Sequence, residues 1–175
     1  SEVLGANKAN KFTVLEGAQA AFAPQPYDLV IGNPDAAVKM VEYSSLTCPH
    51  CAILHNSILP ILRHKYIDTG KLLYIYRDFP TNYPALLGAM LTHCVPQNRE
   101  AMLEALFNTQ DTWGASRSIE EDLINITSVG NHKLTKACFK NPAVEEALMK
   151  KAHEAKEAYD MNVTPTFILQ QYKLD

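Results

Sequence analysis

The chain has 175 residues, 47 % of them apolar and 20 % charged, with a formal net charge of −3. That is long enough for one domain with a sizeable core, or for a domain carrying an insertion. The charge balance argues against nucleic acid or an anionic membrane as partner, and no apolar run approaches the roughly 20 residues of a membrane span. The four cysteines are too few for a disulfide-dense mini-protein.

Residues 1–26 form a polar-to-alanine arm ending in "APQP", a Pro-rich break that reads as a linker. Phe12, Leu15 and Phe22 align as one stripe of a short helix, so both a loosely docked arm and a dimerising helix stand. The opening "SEVLGANKANKF" lacks the charged lead and apolar core of a signal peptide, which fits a cytosolic protein or the mature form of an exported one. "IGNPDA" reads as a turn, and "VKMVEYSS" after it as a buried strand.

A cysteine motif follows at once, and then "AILHNSILPILRHKYIDTGK" carries apolar residues at helical spacing. Pro60 is expected to kink that helix, because it lacks an N–H and crowds the preceding turn. Gly70 suits its end. "KLLYIYRDFP" is a second strand. From 83 to 140 the pattern is helical throughout, with Ser118 and Glu121 spaced as a capping box. A long helix with Pro142 in its first turn comes next, and "VTPTFIL" is a strand opening with a proline. The order predicts an α/β domain interrupted by an all-helical insertion. The expected divisions are an arm over 1–26, the first part of the α/β domain over 27–82, the insertion over 83–140 and the second part over 141–175.

The chemistry gathers at "SSLTCPHCAILH". Cys48 falls where a strand ends and a helix begins, with Pro49 ready for the first helical position. There the unpaired N–H groups and the positive end of the helix dipole face the sulfur and favour a thiolate. His50 can add positive charge or a hydrogen bond. Free cysteine titrates near ~8.5, and sites of this kind lower that to roughly 3.5–7.5. A Cys48 that titrated near ~4 would keep about three pK units of thiolate stabilisation at pH 7, roughly 4 kcal/mol. That is on the order of 90 mV towards a more oxidising disulfide. Cys51, further into the helix, is expected to be less exposed and to act as the resolving thiol.

Glu42 stands inside the apolar strand before the motif, where a charge is costly unless paired or neutralised. Burial is expected to raise its pKa, which suits a group that accepts the proton of Cys51. The alternative is a wet carboxylate on an edge strand. A structural staple is disfavoured because a bridge closing so short a loop adds little stability. Zinc needs a second ligand pair; only His93 and Cys94 offer one, so no metal is expected. Cys94 and Cys138 read as two buried free thiols, or, in an oxidising compartment, as a bridge.

With these residues in view, the chain resembles the DsbA-like thiol–disulfide oxidoreductases of the thioredoxin fold, and among them the alphaproteobacterial, Wolbachia-like branch. The resemblance rests on "CPHC" at 48–51, on "VEYSSLTCPHC" with its upstream acid Glu42, on "VTPTFIL" and on "LFNTQDTW" at 106–113. It implies a thioredoxin fold with an inserted helical domain and a Cys48–Cys51 redox centre assisted by Pro49, His50 and Glu42. It also implies a cis peptide at Thr164–Pro165 facing the disulfide and binding substrate, and a second, non-catalytic disulfide between Cys94 and Cys138. The dithiol itself is the redox centre, so no cofactor is implied. The partners implied are reduced exported client proteins and a DsbB-like membrane oxidase, in the periplasm.

Two departures bear on this expectation. Thr164 stands where the best-known DsbA has valine, and is shared with isomerases and reductases of the fold, which makes those activities the alternative reading. A non-catalytic chaperone-like or zinc-binding module is the alternative of another class. The chain also ends at "QQYKLD", ahead of the strand and helix with which the fold is expected to close.

Overall fold

A computed structural model describes residues 2–3, 12–14, 23–128, 134–170 and 172–174. Its framework is one seven-stranded sheet. The strands are β1 (Glu2–Val3), β2 (Phe12–Val14), β3 (Leu29–Ile31), β4 (Val38–Ser44), β5 (Leu72–Asp78), β6 (Thr166–Leu169) and β7 (Tyr172–Leu174), in the spatial order β1-β2-β7-β6-β4-β5-β3. β4 and β5 run parallel to each other; the other neighbouring strands pair antiparallel.

β4 lies between β5 and β6, so Glu42 is on a central strand and not a wet edge. Strand residues alternate between faces. Val41 and Tyr43 of β4, with Leu73 and Ile75 of β5, pack against the helix that precedes β6. Met40, Leu72 and Tyr74 pack on the opposite face with Ile31, Leu59 and Ile67.

The parallel β4–β5 crossover is helical, as such a connection requires, and Pro60 shapes it. The crossover runs as α1 (Pro49–Ile53), a π turn over Leu54–Ile58, α2 (Leu59–Leu62) and a second π turn over Arg63–Ile67. The expected kink is therefore taken up by widened turns rather than by a break. Gly70, at φ +77°, closes the segment in a conformation that L side chains rarely adopt.

The insertion comprises α3 (Tyr83–Thr92), α4 (Arg99–Asn108), α5 (Gln110–Trp113) and α6 (Ile119–Thr127), with a 3-10 turn over Lys136–Phe139. Its core holds Trp113, Leu91, Leu106 and Leu123, none of them accessible to solvent. The expected capping box of α6 does not form: Ser118 makes no side-chain cap, and its N–H instead donates to Ser116 Oγ at 3.0 Å. α7 (Pro142–Tyr159) starts as expected, with Pro142 in the first turn and Asn141 Oδ1 accepting from Val144 N–H.

Charged groups buried under the insertion tie it to the sheet. Asp78, at the end of β5, accepts from Arg99 at 3.0 Å and is 2.9 Å from His93 Nε2. The Arg99 guanidinium also donates to the Tyr27 carbonyl. Burial works to raise the Asp78 carboxyl, but Arg99 and His93 outweigh it and hold the group below the ordinary carboxylate value. Arg77, also buried, donates to Asp28 at 2.8 Å and to Tyr43 Oη at 2.8 Å and ties the segment ahead of β3 to the sheet.

Three expectations need correction. The arm is not a helix where it is described: Phe12 lies in β2, which pairs with β7 in the sheet. Leu15 and Phe22 lie outside the described residues. A closing strand expected to be missing is present, because β7 pairs with β6 through Phe167 and Leu174. The short β3, not marked in the sequence, pairs with β5.

Cys94 and Cys138 are joined in a disulfide between the end of α3 and the 3-10 turn, 44 residues apart. Closing a loop of that length restricts the unfolded chain by about 4 kcal/mol in the chain-entropy treatment. Replacing both cysteines with alanine is expected to lower the unfolding free energy in urea by about 2–4 kcal/mol. A change below about 1 kcal/mol would mean that the bridge contributes nothing beyond local packing.

Candidate active site

β4 ends at Ser44, and the chain turns through Ser45–Leu46–Thr47 so that Cys48 becomes the N-cap of α1. The turn is held from three directions. Ser45 Oγ and Thr81 Oγ1 are 2.9 Å apart. Thr47 donates to Asn82 Oδ1 at 3.0 Å, and the same oxygen caps α3 through Ala85 N–H. From the insertion, Gln110 Nε2 donates to the carbonyls of Leu46 at 2.8 Å and Cys48 at 3.0 Å. Leu46 is buried in the insertion's core.

Cys48 and Cys51 are both thiols, the first half-buried and the second buried. Their titrations move in opposite directions. Hydrogen bonding from Cys51 is the largest cause holding Cys48 down at about 5, against the opposing effect of partial burial. Thr164 and the backbone N–H groups of Cys51 and His50 add to it. These N–H groups belong to the first turn of α1, where no intrahelical acceptor exists for them. Pro49 occupies the first helical position as expected. His50 gives the sulfur its backbone N–H, while its side chain is exposed. The hydrogen bond to Cys48, and then burial, push the Cys51 thiol far above the ordinary range.

Across the site the Thr164–Pro165 peptide is cis. The Cys48 thiol lies 3.3 Å from the Thr164 carbonyl, to which it donates. β6 brings this loop to the sulfur from 116 positions along the chain, because it pairs antiparallel with β4 and sets Tyr43 opposite Thr166. The Thr166 hydroxyl donates to the Val163 carbonyl at 2.6 Å and braces the turn.

Glu42 is wholly buried, as its place in the strand implies. Its partners were not singled out in the sequence. Tyr74 Oη donates to Glu42 Oε1 at 2.5 Å, and His55 Nε2 lies 2.8 and 2.7 Å from the two carboxylate oxygens. Tyr74 is on the neighbouring strand, two positions from Tyr76, the residue paired with Glu42, and so on the same face. His55 follows Cys51 by four positions, a spacing that puts two residues on one helix face and was the available signal. Gln110 gave no signal of its own, because its role depends on how the insertion folds back.

Cys94 is held in its disulfide and His93 by Asp78, so the donors considered for zinc are engaged elsewhere. Among the described residues no cluster of three or more His, Cys, Asp or Glu is arranged to hold a metal ion.

Residues 24–175 match the family model described as Thioredoxin. A protein-disulfide oxidoreductase, by name, from Rickettsia bellii is 34 % identical over 146 residues, which is 81 % of this chain and 56 % of the relative. A second, from Rickettsia conorii, is 30 % identical over 168 residues, 94 % of this chain and 61 % of the relative. The chain thus spans a little over half the length of these curated relatives. The crystal structure of Wolbachia pipientis alpha-DsbA1 matches with a TM-score of 0.76 at 32 % identity, covering 86 % of this chain and 78 % of that one. Fold, motif placement and these likenesses agree: the chain belongs to the thioredoxin family, as a DsbA-like member with a helical insertion.

Proposed function

We propose that the chain is a thiol–disulfide oxidoreductase that donates the Cys48–Cys51 disulfide to exported client proteins. The observation that carries this reading is the Cys48 sulfur, held down at about 5 at the N-cap of α1. A client thiolate attacks Cys48 Sγ, the bond to Cys51 breaks, and Cys51 leaves with the electron pair and takes a proton. The client's second thiolate then attacks the client sulfur of the mixed disulfide and releases Cys48 as a thiolate. The client loses two electrons and the protein gains them.

At pH 7, a sulfur that titrates at about 5 instead of 9.0 keeps about two pK units of thiolate stabilisation. That is about 3 kcal/mol, or about 60 mV in a two-electron couple, and solvent screening at this half-buried position trims the figure. The effect is smaller than a titration near ~4 implies, and has the same sign: it stabilises the reduced protein and makes the disulfide a better donor.

The Cys94–Cys138 disulfide supports an extracytoplasmic location, since cytosolic thiols are kept reduced. A client strand would lie along the cis-proline loop, pairing with the backbone of Thr164 beside Cys48. Reoxidation falls to a DsbB-like membrane partner. A disulfide isomerase or reductase is the second reading, and Thr164 before the cis-proline is the observation in its favour.

Three measurements test the proposal. Alkylation of the reduced protein as a function of pH should show a Cys48 midpoint near 5; a midpoint above about 8 would remove the driving force. Because the folded value lies below the unfolded one, the thiolate's contribution is complete above the unfolded value, accumulates between the two and is gone below the folded one. The melting temperature of the reduced form should therefore rise relative to that of the oxidised form between pH 5 and pH 9. Equilibration in glutathione buffers at pH 7, with Cys94 and Cys138 replaced, should give a potential towards about −120 mV. A potential near about −270 mV would place the protein among the reductases.

A further inference from the structure

The π turn Leu54–Ile58 carries His55 over the buried acid. Its Nε2 meets both oxygens of Glu42. The ring stacks on Phe107 of α4, with centroids 4.3 Å apart and planes at 17°, and meets Tyr76 edge-on at 5.4 Å. Glu42 has no accessible side-chain surface, whereas His55 keeps 9 %. That remaining surface lines a solvent-open cavity of about 370 Å³ between the crossover and α4. Among the described residues, His55 is the side chain that both hydrogen-bonds Glu42 and lines this cavity.

The sulfur chemistry needs a proton at this depth. Cys51 is fully buried, and its thiol is pushed far up by the bond to Cys48 and by burial. When it leaves Cys48 it must be protonated, and when it attacks a mixed disulfide it must lose that proton. Bulk solvent does not reach it directly.

We propose that His55 is the positioning and proton-carrying residue of this site: it orients Glu42 through Nε2 and exchanges the pair's proton with solvent through the cavity. The inference rests on the thiol–disulfide chemistry proposed above. An incoming thiolate forms a bond to Cys48 Sγ, the Cys48–Cys51 bond breaks, and its electron pair goes to Cys51. The proton shared by Glu42 and His55 moves to Cys51, and His55 is reprotonated from the cavity. In the reverse direction each transfer runs backwards.

The titratable groups that touch the imidazole are Glu42 from β4 and Tyr76 from β5; Tyr74 reaches the same carboxylate, and Cys51 stands four positions before His55 on the crossover. Around the cavity stand Arg63, His64, Asp68, Glu100 and Glu104. Arg63 and Glu100 are paired with each other across it. The cavity walls thus carry both signs of charge and do not by themselves trap a proton.

The test uses the full chain, oxidised at Cys48–Cys51, in stopped flow against two attacking dithiols, a reduced two-cysteine peptide and dithiothreitol, over pH 5–8. His55→Ala is expected to slow the dithiothreitol reaction about 10²-fold, the lower range of general acid–base effects, and to flatten its pH profile. Added imidazole should restore much of the rate, because the opened site adjoins a cavity of about 370 Å³. His55→Gln, whose amide N–H keeps a hydrogen bond to Glu42 but cannot be given up as a proton, should stay slow with imidazole present. Alkylation of reduced Cys48 should stay within about twofold of the unsubstituted chain in both variants, since no Cys48 contact is removed.

His55→Ala reacting within twofold of the unsubstituted chain overturns the proposal, and so does a slow His55→Ala that imidazole leaves slow. If His55→Ala does not fold, His55→Gln decides: a wild-type rate and pH profile overturn the role, and a slow, flattened one supports it. Failure of the unsubstituted chain to oxidise the peptide sinks the client-oxidase reading instead, because the dithiothreitol arm reads the proton step without a client.

Discussion

The register of β6 against β4 is the constraint on which the site depends. Tyr43 lies opposite Thr166 and Glu42 opposite Phe167, so the turn that enters β6 has to pass beside the turn that leaves β4. One turn holds Cys48 and the other holds Thr164–Pro165. A slip of one residue would flip the faces of the strand. It would expose Ile168 and move the Thr164 carbonyl away from the sulfur that lies 3.3 Å from it. The same buried alternation that packs Val41, Tyr43 and Ile168 against α7 therefore sets the geometry of the redox pair. Packing and chemistry share one register.

Within that frame, two sulfurs three positions apart acquire opposite characters from a helix only one turn long. Cys48 sits outside the first turn, where N–H groups lack intrahelical acceptors and stabilise an anion. Cys51 sits inside it, against the insertion's core, where an anion would lose its solvation. The hydrogen bond between them deepens the split, since whichever sulfur donates favours the charge on the other. The insertion contributes more than cover. Gln110 binds the carbonyls on either side of Thr47, and the Asp78–Arg99–His93 group anchors α3 and α4 to the end of β5. The helical block thus fixes the Cys48 turn relative to the sheet.

Much of this was legible in the chain because it is local. The apolar run of β4, the proline after Cys48, the helical spacing after Cys51 and the caps of α7 are all written within a few residues of where they act. Glu42 was legible for a related reason, as a charge in a run that otherwise reads as buried. Features built from distant residues were not. β3 is three residues long and exists because β5 offers it an edge; the arm's strands exist because β7 does. In the expected Ser118 capping box, Ser116 accepts the Ser118 N–H and Glu121 turns to Lys136, a competition between neighbours that spacing alone does not rank. His55 and Tyr74 were present in the sequence as a histidine on a helix and a tyrosine on a strand. Only the packing of that helix on that strand makes them partners of one carboxylate.

That carboxylate also bears on why the centre is polar. An unpaired charge at the place of Glu42 would cost several kcal/mol, and Tyr74 and His55 offset the cost by engaging both oxygens. Yet a paired buried charge is seldom a gain over well-packed apolar side chains of the same volume, which are often neutral or stabilising in exchange. Stability alone would favour leucine and phenylalanine here, as in the surrounding core. The helix also departs from regular geometry at this point, with a π turn carrying His55 where Pro60 loosens the hydrogen-bond ladder, and such turns gather at functional sites. A charge that the fold does not need, on β4, is held by a side chain that an irregular turn delivers from the crossover that carries Cys51. The two departures from the stability optimum have a common explanation in the movement of one proton to and from Cys51.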